Sequence, residues 1–141
     1  MQKKLELAQL KNYLGTRLKI EKSYTYRNGR TDIGVTSLDQ ATVMYLTMNK
    51  SYDYIKPIMY RLSDLDKFIP ELGFVPAERL YPIDTDFEKD LGITSKDHLE
   101  MSLNYGINGF TWDNIQKLFE WHFWVFDQSY FEEGLIIDKL K

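Results

Sequence analysis

Residues 17–36 read Arg17-Leu18-Lys19-Ile20-Glu21-Lys22-Ser23-Tyr24-Thr25-Tyr26-Arg27-Asn28-Gly29-Arg30-Thr31-Asp32-Ile33-Gly34-Val35-Thr36, and this stretch decides the fold class. Leu18, Ile20, Tyr24 and Tyr26 alternate with Arg17, Lys19, Glu21, Ser23 and Thr25, the period of two that marks a strand with one buried face. Asn28-Gly29 follows, a pair that tolerates the left-handed backbone of a two-residue hairpin turn, and Thr31 to Thr36 returns as the partner strand. The alternation places the tyrosines on the buried side.

Working outward, Leu7, Leu10, Lys11 and Leu14 fall at helical spacing with Gly15 at the cap position, so a short helix precedes the hairpin. Ala41 to Met48 and Tyr54 to Leu62 are dense in Val, Ile, Met and Tyr and predict two further strands. Pro57 cannot donate to a ladder and marks an edge or a bulge. Beyond them the character changes. Ser63-Asp64-Leu65-Asp66 predicts a capped short helix to about Phe68, and 73–84 reads as loop with a short helical turn. A helix is predicted from Ser95 to about Leu103, then a connection over 104–109. Thr111 caps the longest predicted helix, which runs to about Asp127.

On a wheel of about 100° per residue centred on Ile115, the residues Trp112, Leu118, Phe119, His122, Phe123, Val125 and Phe126 share one apolar arc. The predicted architecture is therefore α+β. A small twisted antiparallel sheet from the N-terminal half packs on a long aromatic-rich helix from the C-terminal half, in a single domain over residues 1–141.

The composition agrees. With 141 residues, 43% hydrophobic and 28% charged, the chain has the size and content of one folded domain. It has no cysteine, which excludes disulfides, cysteine-based zinc or iron–sulfur centres and a thiol nucleophile. No apolar run approaches the ~18 residues of a membrane span, and Met1 to Leu10 lacks the apolar core of a signal peptide, so the expected location is a cytoplasm and no membrane partner is expected.

The net charge of −3 disfavours bulk attraction to nucleic acid, yet the charge is unevenly spread. Eight basic residues face two acidic ones from Met1 to Arg30, whereas Leu62 to Asp138 carries sixteen acids against five bases. Either the molecule is electrically polar, or the two halves pack together and partly neutralise each other.

Two sets of residues stand out as candidate contacts. Trp124 falls opposite the apolar arc, among Asp113, Lys117 and Glu120, of which Asp113 and Lys117 have the spacing of an ion pair. Such an aromatic is either an exposed binding anchor or is covered by another segment, with the tail around Phe131 the candidate. Arg17, Lys19, Arg27 and Arg30 would share an open face of the hairpin and could track a nucleic-acid backbone.

Other constellations fall away. His122 lies inside the apolar arc and, with His98 the only other histidine, reads as a structural residue donating to a carbonyl or a buried carboxylate rather than as a metal ligand. Asp84, Asp86, Glu88 and Asp90 alternate like the start of a calcium loop. Lys89 and Ser95 occupy the positions where that loop needs Gly and Glu, which leaves a solvated acidic loop or at most a weak divalent site. No phosphate loop, serine elbow or selected carboxylate pair is visible, so neither catalytic residues, cofactor nor metal is assigned.

The run Lys117-Leu118-Phe119-Glu120-Trp121-His122-Phe123, then Val125-Phe126 and Gly134-Leu135-Ile136-Ile137-Asp138, resembles a family of small proteins encoded by phages and prophages of Bacteroidetes. Pro57-Ile58 with Arg61-Leu62-Ser63-Asp64-Leu65 resembles that family's central segment, and together these stretches cover about a quarter of the chain. Position 124 departs from the pattern, which has Asp where this chain has Trp. The family supplies no catalytic or binding residues to carry over. The resemblance implies a small accessory protein that binds another macromolecule in the host bacterial cytoplasm, a protein or protein–nucleic acid complex, with inhibition of a host defence complex as one form of that role. The alternative is a nucleic-acid-binding module using the basic hairpin. A small enzyme with a carboxylate-based site is the third reading.

Overall fold

The computed structural model describes residues 5, 7–48 and 54–141. Lys3, Lys4 and Glu6 of the basic stretch lie outside the described residues. A short helix α1 (Leu7–Leu10) runs through a further helical turn to Tyr13 and into strand β1 (Lys19–Thr25). Strand β2 (Thr31–Ser37), helix α2 (Gln40–Met48) and strand β3 (Tyr54–Met59) follow. The second half holds α3 (Pro76–Leu80), α4 (Asp86–Asp90), α5 (Ser95–Leu103), α6 (Trp112–Glu120) and the two-residue strand β4 (Ile137–Asp138).

The α+β class is right in outline, but the sheet is mixed. Its order is β2-β1-β3-β4: β1 pairs antiparallel with β2 and β3, and β4 joins β3 in parallel. Met59 gives its carbonyl to Lys139 N on the β4 side, while Tyr60 exchanges backbone bonds with His122 and Trp124. By the alternation of a strand, Pro57 shares Met59's direction and turns its missing N–H toward the β4 edge. The ladder there begins only at Ile58, so no bond is lost.

The hairpin is present with a different turn. The loop is three residues, Arg27-Asn28-Gly29, not two, closed by Gly29 N to Tyr26 O at 3.0 Å and Tyr26 N to Arg30 O at 2.7 Å. Only Gly29 has positive φ (84°), so this is a type I turn followed by a glycine bulge.

Three local expectations need correction. Ala41 to Met48 is helical, not extended, because Asp39 caps it: its carboxylate accepts from Thr42 N at 2.7 Å and Thr42 Oγ1 at 2.8 Å. In place of the α-helix expected from Ser63 to about Phe68 there is one tight turn over Leu62–Asp64, capped by the Asp64 carboxylate on Arg61 N. Residues Asp86–Asp90, expected as acidic loop, form α4, capped by Thr85.

The long helix is not present. α6 starts as expected, with Asn114 N on Thr111 Oγ1 at 3.2 Å, but stops after nine residues at Glu120. His122 takes φ 68°, its N–H bonds to Phe119 O at 3.1 Å, and Phe123 N reaches back to Leu118 O at 2.9 Å. These two bonds make a Schellman stop, with histidine where glycine is usual, and the fully buried Leu118 and Phe123 supply its apolar contact. The chain then turns away as an extended segment that docks on Tyr60.

That turn builds the centre of the core. Trp124, Phe126 and Tyr130 pack as a cluster, and Tyr13 stacks on Trp124 while meeting Phe119 edge to face. Tyr13 Oη donates to the Phe123 carbonyl, so one buried phenol pins the first helical turns to the end of α6. Leu18, Ile20, Met59, Leu65, Ile69 and Leu118 surround them, all without exposure. No helix among the described residues is long and apolar enough to cross a membrane.

Candidate functional site

The proposed anchor, Trp124, lies beyond the end of α6 and is not on the surface. Trp124 is 0% exposed; its indole Nε1 donates to the Asp127 carbonyl at 2.9 Å and its ring is covered by Tyr13, Phe126 and Tyr130. The cover is therefore the chain's own aromatic cluster, with Tyr13 from the first helical turns as one wall. Asp113, Lys117 and Glu120 are exposed, as expected, but Trp124 is not among them. Trp112, placed in the apolar arc by the helical wheel, is the residue that stands in solvent.

His122 donates to a backbone carbonyl, as expected, but it does so from the left-handed stop after α6 and not from a helical arc, and it is half-buried rather than enclosed. Its Nε2 lies 2.7 Å from the Thr16 carbonyl, which can only accept, so Nε2 carries the proton. Burial holds the imidazole below its ordinary value, against the pull of the Thr16 carbonyl toward the charged form. Beside it, Glu71 accepts from Tyr60 Oη at 2.9 Å and pairs with Lys139 at 3.0 Å. Among the described residues no cluster of His, Asp and Glu could hold a metal ion. In the acidic stretch, Glu88 is taken up by His98, at 2.9 Å, and by Thr85.

The hairpin divides into a rooted base and an open tip. Leu18 and Ile20 are fully buried, and pairing with β3 ends at Ser23 opposite Tyr54. Tyr24 and Tyr26, expected inside, are 41% and 40% exposed. Their rings meet edge to face at 4.9 Å, and the Arg30 guanidinium sits 4.8 Å from the Tyr26 ring while pairing with Asp32 at 3.2 Å. Of the four basic candidates, Arg27 and Arg30 share this tip. Arg17 and Lys19 lie at the base, about 20 Å away along a seven-residue strand. The four thus line the length of the hairpin instead of forming one patch.

Arg17 belongs to a second feature that sequence reasoning missed. With Asn12, Thr16, Gln116, Phe119 and Glu120 it lines a groove of about 480 Å³ between the turn after α1 and α6. This groove brings together one basic and one acidic candidate, Arg17 and Glu120, from separate predicted sites. A smaller depression of about 250 Å³ lies over α5, where Tyr81 stacks on His98 and bonds Ser102 beside the exposed Met101 and Tyr105. Only the helical spacing of His98, Met101 and Tyr105 hinted at it.

No family model matches the chain, and neither a curated protein nor a solved structure shows significant similarity to it.

Proposed function

We propose that this chain is a small accessory protein that acts by binding another macromolecule, and that the tip of the β1–β2 hairpin makes the contact. The observation that carries the reading is the exposed Tyr24–Tyr26 pair with Arg30 against the Tyr26 ring. Tyrosine and arginine dominate the energetic centres of protein interfaces, and rings already held edge to face lose little freedom on binding. Arg27 beside them adds a charge that steers approach. The preferred partner is a protein or protein–nucleic acid complex; the resemblance to phage-encoded proteins puts host complexes, including defence complexes, first among those to test.

A second reading, nucleic-acid binding, draws on the same tip, since exposed rings flanked by arginines can stack bases and hold phosphates. One experiment separates them. Tagged wild type and the Tyr24→Ala/Tyr26→Ala variant are used as bait in host lysate and on immobilised DNA and RNA. Proteins retained by wild type at high salt and lost from the variant support the first reading; retention on nucleic acid that falls steeply with salt supports the second. Identical retention by both baits refutes the assignment to the tip.

A further inference from the structure

We propose that the outer edge of β2 pairs antiparallel with the same edge of a second copy, joining two four-stranded sheets into one. β2 is the terminal strand of the sheet, and among the described residues no strand pairs with its outer side. Of the devices that protect an edge it carries a single charge, Asp32. It has no proline and no lysine, and its register with β1 runs unbroken from Thr31 to Ser37 without a bulge. Ile33 and Val35 stand on it at 63% and 59% exposure.

The backbone shows which groups are free to pair. Tyr26 N bonds to Arg30 O and Leu38 N to Leu18 O, so the even-numbered residues of β2 face β1. Thr31, Ile33, Val35 and Ser37 therefore turn their N–H and C=O outward. A two-fold axis at Gly34 sets Ile33 opposite Val35 and Thr31 opposite Ser37, matching every outward residue of the strand with another outward residue. Ile33 and Val35 from both copies then form one apolar stripe on a single face of the joined sheet. Charge permits it. Asp32, the only charged residue within β2, falls opposite Thr36, is paired with Arg30, and stands about 14 Å from its mate, beyond the reach of a screened repulsion.

Gly34 fits the same register. A Cβ there would meet no atom within 4 Å, so the fold of one chain does not require glycine at the centre of this strand. On the two-fold axis, Gly34 faces Gly34 in the close, non-hydrogen-bonded position, where Cα atoms approach to about 4.5 Å. The partner is thus a second copy of this chain, and the hairpin tips point to opposite ends of the pair, leaving Tyr24 and Tyr26 accessible.

The chain has no cysteine, so a single introduced thiol reads the register directly. Gly34→Cys and Asp32→Cys are compared under mild oxidation, with circular dichroism confirming the fold, and wild type is weighed by sedimentation equilibrium beside Ile33→Lys/Val35→Lys. The expected result is a wild-type dimer, loss of dimer in the lysine variant, and a disulfide-linked dimer from Gly34→Cys only. The Asp32 pair lies well beyond the ~7 Å limit for a disulfide. A monomeric wild type, a lysine variant that still dimerises, or equal cross-linking at both positions would overturn the proposal. If Gly34→Cys does not fold, loss of dimer in the lysine variant decides the matter alone.

Discussion

His122 and Thr16 are joined by a 2.7 Å hydrogen bond, and that bond ties together the only two non-glycine residues with left-handed backbone among those described: His122 at φ 68° and Arg17, next to Thr16, at φ 62°. An L-residue pays roughly 1 kcal/mol or more for such a backbone. Here the imidazole compensates by closing the turn after α1 onto the end of α6.

The consequence for mutation is a reversal of the usual order. His122→Ala should lose the bond and keep the strain, costing about 1–3 kcal/mol. His122→Gly loses the bond and relieves the strain, so it should be the more stable of the two by about 1 kcal/mol. Urea denaturation of both variants checks this; a glycine variant no better than alanine would show that the turn is unstrained.

Acid should weaken the same contact. The folded-state pKa of His122 lies below the ordinary 6.5, so the unfolded chain takes up the proton first. Its contribution is complete above that value and is lost as pH falls from it toward the lower folded-state value. Thermal melts of wild type and His122→Gly across this range should converge toward acid; a constant difference would contradict the assignment.

Alkali should act through two phenols. Burial raises Tyr13, and burial together with the Glu71 hydrogen bond raises Tyr60, both above the ordinary 10.0. The stability they hold is complete below that value and is lost as pH climbs past it, because the unfolded chain releases the protons first. Phenolate absorbance followed with pH should show Tyr13 and Tyr60 ionising only on unfolding, and Tyr13→Phe should shift the transition upward.

Trp124→Ala should cost about 3–5 kcal/mol, the range for deleting a large ring from a packed core. At a temperature where the variant is folded, partner binding should match wild type. Reduced binding by a fully folded variant would reopen a contact role for this residue.

Elements whose fate depended on local pattern could be read in advance: the hairpin strands, the Thr111 cap, and the helix over Ser95–Leu103. What escaped was decided by distant contacts, with one local exception. The apolar run at 41–48 fits strand or helix by composition, and the Asp39–Thr42 cap was the local signal that separated them. The wheel through 112–127 assumed one helix. Its end at His122 depends on Thr16 and Tyr60, more than sixty residues away in the chain, and no glycine announced it. Trp124 was misplaced for that reason alone. The tyrosines of the tip were misjudged because alternation gives a side of the sheet, not whether that side is covered at the tip.

The bond from Tyr13 to the Phe123 carbonyl spans 110 residues of sequence, and the one from His122 to Thr16 spans 106. Closing loops of that size must precede any reward from the aromatic core, which puts folding at the slow end for a domain of this length. The β1–β2 hairpin, closed by three residues, needs no such search and forms in microseconds. A folding chain thus displays the Ile33–Val35 edge before its core exists, and refolding yield should fall as concentration rises. Lysines at 33 and 35 should restore that yield without changing the refolding rate measured by stopped flow.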